Sequence, residues 1–285
     1  MKTFFVVLVA GGFLGCSFKS IALRSTVELI AKGTEVFYEE SDFELAEESL
    51  ASQLKLLEIL LKNDPMNSDL LLFATQGFGA YSFLFLEEKD RERAKSFYER
   101  GRNFGIKVLE KRCSLDLLKE PDLEKFEKGL QKLSRKEVPI LFWTTYCWGG
   151  LCNLSRDDPE AIADIPKVER MMLRINDLLP GYFYSGADIF LGSYYGSKPK
   201  MFGGDLEKSK FYFDRALKVS DGKFLMGLVL YAQHYAVPAG EKESFKALLE
   251  KVLLFPLEDF PEQRLSNEVA KRRAKKLLEN IDEHF

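Results

Sequence analysis

Apolar residues at helical spacing, repeated segment after segment, constrain this chain more than any other feature of its sequence. Leu50, Leu54, Leu57 and Leu61 form one stripe, and Phe245, Leu248, Leu249, Val252 and Leu253 follow the i, i+3, i+4, i+7, i+8 rule. No stretch shows the strict alternation that marks a half-buried strand. Ser41-x-x-Glu44 reads as a capping box ahead of the first stripe, and Asn63-Asp64-Pro65 stops it. Helices are expected over about 68–88 and about 90–111. Ser134-x-x-Glu137 offers a second capping box near Pro139, opening a helix through Trp143 and Trp148. Asp157-Asp158-Pro159 reads as a turn, Pro166 as the first turn of the next helix, and Pro180-Gly181 as its end. Asp205 caps a helix reaching about Val219; Pro256 and Pro261 bracket an irregular connection before a last helix at about 262–281. The class is all-α.

Helices of 15–20 residues joined by short turns predict stacked hairpins, and the tetratricopeptide pattern supplies the period. Phe78, Tyr81-Ser82 and Phe85, followed by Ala94, Tyr98 and Gly101, match it well. Leu191-Gly192-x-x-Tyr195 followed by Ser209, Phe213 and Ala216 matches with an insertion, and Trp148-Gly149-x-x-Cys152 ending at Pro180 is a looser copy. Small residues such as Gly101, Gly192 and Ala216 let helices approach, while aromatics fill the gaps between hairpins. The expectation is one tetratricopeptide-like solenoid of about 11–13 helices in a single domain.

Before that domain lies Lys2, then Phe4-Phe5-Val6-Val7-Leu8-Val9-Ala10 and Gly11-Gly12-Phe13-Leu14-Gly15-Cys16. The apolar run is shorter than the ~20 residues a transmembrane helix needs. It resembles a bacterial lipoprotein signal, with Phe13 where that pattern usually has Leu. The resemblance implies a signal peptide over 1–15, cleavage before Cys16, and a mature chain 16–285 held to the membrane only through acyl groups on Cys16. Cys147 and Cys152 lie about 140° apart on a helix, so neither a local disulfide nor a zinc site is expected. Buried free thiols are the simplest reading of Cys113, Cys147 and Cys152.

Charge and composition narrow the function. A net charge of -3 argues against a dedicated nucleic-acid binder, whose phosphate contacts need a basic excess. Two histidines leave little room for a His-based metal or acid–base site, and no His-Glu-x-x-His, Gly-x-Gly-x-x-Gly or Gly-x-Ser-x-Gly is present. No enzyme activity, cofactor or metal is expected. With 24 Phe and 11 Tyr, the chain carries an aromatic surplus that suits an amphipathic channel or a partner groove. The run Lys271-Arg272-Arg273-x-Lys275-Lys276 reads as a solvated helix face, and docking to an acidic partner is its sharper alternative.

The C-terminal third is more specific than a repeat consensus. Gly186 and Leu191-Gly192-x-x-Tyr195 precede Pro199-x-x-x-Gly203-Gly204-Asp205 and Phe213-x-x-Ala216-Leu217. Lys223-Phe224-Leu225-Met226, Tyr231-Ala232-x-x-Tyr235 and Leu265-x-Asn267-x-x-Ala270-x-x-x-Ala274-x-x-Leu277-Leu278 follow. This order resembles the T-component (TatT-like) family of tripartite ATP-independent periplasmic (TRAP) transporters, sharply over about 181–281 and diffusely over 20–180. Ser209 stands where the family more often has Ala, and His234 is not a family hallmark. The resemblance implies a non-enzymatic lipoprotein on the periplasmic face of the envelope, associated with a substrate-binding P-component and holding or passing a small ligand. It also implies a homo-oligomer, with a trimer as the plausible form. A tetratricopeptide lipoprotein scaffold for envelope assembly is the alternative.

Candidate ligand or partner contacts are Trp143, Tyr146, Trp148, Tyr182, Tyr184, Tyr194 and Tyr195, with Gly203, Gly204 and Asn267. The expectation is that the Tyr182–Tyr195 helix, the 196–204 loop and Trp143 to Trp148 border one cavity. Gly203-Gly204-Asp205 most simply delivers an N-cap, and Asn267 on an apolar face is more often a structural hydrogen-bonder than a ligand contact.

Overall fold

A computed structural model describes residues 25–285. The signal-peptide and lipidation readings at 1–16 lie outside the described residues. Among those described, twelve α-helices and no strand are present: α1 (25–39), α2 (Phe43–Asn63), α3 (Ser68–Tyr81), α4 (Arg91–Cys113), α5 (Leu123–Leu130) and α6 (Val138–Leu154). After these come α7 (Pro159–Leu178), α8 (Tyr182–Gly196), α9 (Leu206–Val219), α10 (Leu225–Tyr231), α11 (Lys242–Leu254) and α12 (Arg264–Glu279). The all-α solenoid-like class and the helix number agree with the sequence expectation.

Local chemistry sets the boundaries. Ser134 and Glu137 form the expected reciprocal capping box, and Asp205 accepts from the Lys208 amide to start α9. At the first stripe the cap sits one residue later than expected. Asp42, not Ser41, is the N-cap, its carboxylate accepting from the Glu44 and Leu45 amides at 3.0 Å. Glu40 meanwhile takes the amides of Ser41 and Asp42, so the turn before the helix is held by two carboxylates. Pro159, not Pro166, occupies the first turn of α7; Pro166 lies inside that helix and lacks the N–H that would bond the Ile162 carbonyl. The tertiary setting tolerates the missing bond because Lys167, Val168, Met171 and Met172 beside it are buried.

Consecutive helices fold back as hairpins: α3 with α4, α6 with α7, α8 with α9, and α10 with α11. The first members α3, α6, α8 and α10 lie side by side on the inner face, α3 against α6 and α8 against α10. Both α3 and α10 end in a single π-helical turn, Ser82–Leu86 and Ala232–Ala236. The central α6 is apolar around most of its circumference, and most of its residues between Val138 and Leu154 are buried. Gly192 is where α8 meets α9: a Cβ there would stand 2.8–3.0 Å from the Phe213 ring, so only glycine allows this approach. Contrary to the expectation that no segment is long and apolar enough to span a bilayer, Ser68–Leu86 has the length and hydropathy of a membrane span, but most of it is buried in the core. Cys113, Cys147 and Cys152 are free and buried.

The curve of hairpins closes on itself. Arg273 of α12 donates to the Phe83 carbonyl at 2.7 Å and pairs with Glu87 and Glu88, each at 3.3 Å; Lys276 pairs with Glu88 at 3.0 Å. Arg272 lies 4.1 Å over the Phe43 ring. The basic run expected to be a solvated face therefore joins the last helix to the first hairpins, and Arg273 is only 13% exposed. An inner groove becomes a cavity.

Candidate functional site

That cavity has a volume of about 1000 Å³. Its wall is built from the inner helices: Phe83 from the π turn after α3, Phe142, Trp143 and Tyr146 from α6, Phe183, Ile189 and Phe190 from α8, Phe224 just before α10, and Met226 and Leu230 from it. Arg273 and Leu277 of α12 complete it. The two ends differ. Phe202 and Ile162 at the outer end are exposed, 68% and 50% respectively, whereas Tyr38, Phe142 and Trp143 at the inner end are buried. Polar groups gather toward the outer end, including Asn153, Arg156, Ser193, Ser197, Lys198 and His234.

The inner end is an aromatic cluster centred on Phe183. Its ring centroid lies 4.7 Å from Trp143, 5.6 Å from Phe142, 5.9 Å from Phe224 and 6.2 Å from Tyr38. Phe183 reaches this place through an unusual backbone. Phe183, Tyr184 and Ser185 have φ of 45°, 54° and 61°, a left-handed turn of three consecutive non-glycine residues. Each such residue costs about 1–2 kcal/mol, so surrounding contacts must hold it. Asp188, 1% exposed, supplies them. It accepts from Ser185 Oγ at 2.6 Å, from Asn176 Nδ2 at 2.7 Å, and from Arg215 through two guanidinium nitrogens. The Ser185 amide also donates to the Gly181 carbonyl at 3.1 Å.

Burial shifts several ionisable groups at the wall. Burial raises the Glu87 carboxyl despite Arg273 beside it and the Tyr98 hydroxyl that donates to it at 2.6 Å. Burial, then the neighbouring Glu87, raises the Tyr146 phenol well above its ordinary value. His234 is pushed down to about 4 by burial and by Arg156, so its imidazole is neutral at pH 7; Nδ1 lies 2.9 Å from Ser197 Oγ. Desolvation lowers Lys198, whose ammonium sits 3.4 Å above the Tyr194 ring. Among the described residues no cluster of three or more His, Cys, Asp or Glu side chains could hold a metal ion.

Of the residues singled out from the sequence, Trp143, Tyr146 and Tyr194 line the cavity, as do Ser197 and Lys198 of the 196–204 loop. The others stand elsewhere. Trp148 is fully buried on the far side of α6, where its indole donates to Asp164 at 2.9 Å. Tyr182 packs edge-on against Phe142, and Tyr184 stacks on Phe224 at 5.1 Å, backing the inner end from behind. Tyr195 donates to Glu169 at 2.6 Å and stacks on Tyr212. Gly203 takes φ of 86°, and Gly204 lies against the Lys198 carbonyl, so both shape the loop rather than the wall. Asn267 is buried with its amide spent on backbone: Oδ1 accepts from the Leu225 amide and Nδ2 donates to the Lys223 carbonyl, each at 2.9 Å, which fixes the start of α10. The sequence reading offered none of Phe83, Phe142, Phe183, Phe190 or Phe224 as a site residue and read Arg273 as part of a solvated face; an aromatic flanked by two tyrosines at 182–184 was the available signal for Phe183.

The chain is similar over its length to an uncharacterized protein of Treponema pallidum (strain Nichols), at 25% identity over 303 residues, covering 95% of this chain and 93% of that protein. The model of the TRAP transporter T-component family matches residues 39–285, which takes in α2 to α12 and every wall residue named above except Tyr38. The chain belongs to the TRAP transporter T-component family, and its role is accessory to such a transport system in the cell envelope.

Proposed function

We propose that this protein is a lipid-anchored periplasmic component that holds an elongated, partly apolar solute in its cavity and associates with the substrate-binding P-component. The observation that carries the reading is the cavity itself: about 1000 Å³, aromatic at its inner end and polar at its outer end. Such a site favours a solute with an apolar body, which the rings of Trp143, Tyr146 and Phe190 enclose, and a polar end that meets Asn153, Ser193 and Lys198. Binding without turnover suits it: Glu87 at its wall is paired with Arg273, and His234 is neutral. Met201 and Phe202, exposed on the loop at the outer end, mark where a partner protein would cover the opening. The anchor is the acylated Cys16, and the functional unit is the whole of 16–285 as one domain.

Capture from detergent-solubilised envelope, with mass-spectrometric identification, tests the partner. The expected result is recovery of a P-component by the wild type and by a Trp143→Ala/Tyr146→Ala variant alike, because those side chains face the cavity. Recovery of envelope-assembly proteins instead, with no P-component, would support the scaffold role and defeat this one.

A further inference from the structure

Resting on the solute-holding reading above, we infer that Phe183 is the stop at the inner end of the cavity and sets the length of apolar chain it accepts. Its ring fills the point where Trp143, Phe142, Phe224 and Tyr38 converge, and these neighbours are buried whereas the outer end is open. The backbone shows that this placement is imposed. A right-handed first turn would carry the side chain elsewhere, yet three successive L-residues adopt left-handed angles to put it there. Asp188 is the positioning residue, gripping the turn through Ser185 and itself gripped by Asn176 and Arg215. Aromatic rings back the stop on its far side, with Tyr184 stacked on Phe224 and edge-on to Phe260. An apolar chain entering from the Phe202 end therefore meets a rigid wall at Phe183, and further methylenes have nowhere to go.

The test uses displacement of the neutral dye N-phenylnaphthylamine from the full-length detergent-purified protein by straight-chain alcohols from octanol to hexadecanol. Wild-type affinity should rise with chain length and then level off or fall. Phe183→Ala keeps an L-residue in the left-handed turn and removes only the ring, so its turning point should move to longer alcohols, with about tenfold tighter binding for two further buried methylenes. Phe183→Leu, a smaller change in packing, should move it part of the way, and circular dichroism checks that each variant is folded. A purely structural role would instead weaken every alcohol by a common factor. An unchanged turning point in the folded variants overturns the inference while leaving the solute-holding reading intact. A wild type that takes up neither dye nor alcohol overturns both.

Discussion

Arg273 Nη2 donates to the Phe83 carbonyl at 2.7 Å across 190 residues, joining the last long helix to the first complete hairpin. The same guanidinium lies 4.1 Å over the Phe83 ring and pairs with Glu87, so one side chain holds the cavity closed in three ways. Removing it leaves a buried carboxylate without its cation. Arg273→Ala is expected to cost about 3 kcal/mol in chemical denaturation. It should also weaken solute retention more than Lys276→Ala, whose ion pair is solvent-exposed. Equal, small effects from both variants would show that the ring of hairpins closes without Arg273.

Gly192 gives a second stability test. With the Phe213 ring 2.8–3.0 Å from where a Cβ would be, Gly192→Leu overpacks the contact between α8 and α9 and should cost roughly 1–3 kcal/mol or more. A melting temperature equal to the wild type's would contradict this packing.

His234 predicts a pH dependence. Its folded value is depressed from 6.5 to about 4, so between those values the unfolded chain binds the extra proton and stability falls as pH drops. Allowing for its partial exposure, the loss from this group is about 2 kcal/mol between pH 6.5 and 4. The measurement is denaturant unfolding of wild type and His234→Gln at several pH values; the variant should lose less over that window. Parallel curves would remove His234 as the cause.

Much of the fold was legible because caps and apolar stripes are local. Ser134 with Glu137, and Asp205, do what their spacing says. Site residues were legible only in part, since residue type does not say which way a helix face points. Trp143 and Trp148 are five apart on α6, about 140° around it, so one faces the cavity and the other is buried against Asp164. The left-handed turn at Phe183 was not readable, because its three residues include no glycine and it depends on Asp188 of the same helix being held by Asn176 of α7 and Arg215 of α9. Nor was the part played by Arg273, whose basic neighbours are mostly solvated while it alone reaches Phe83 and Glu87 after α3.

Anchoring is tested by fractionation. Cys16→Ala should release the mature chain into the soluble periplasmic fraction or leave it unprocessed, because stable attachment takes more than one acyl chain. A variant processed normally and still membrane-bound in high salt would contradict anchoring at Cys16.

Native mass spectrometry of the gently extracted full-length protein tests the central claim most directly. The account predicts a bound solute, seen as added mass on the wild type, that is lost or strongly reduced in Trp143→Ala/Tyr146→Ala while the variant stays folded. A wild type free of any solute, which also fails to take one up from an envelope extract, would contradict it.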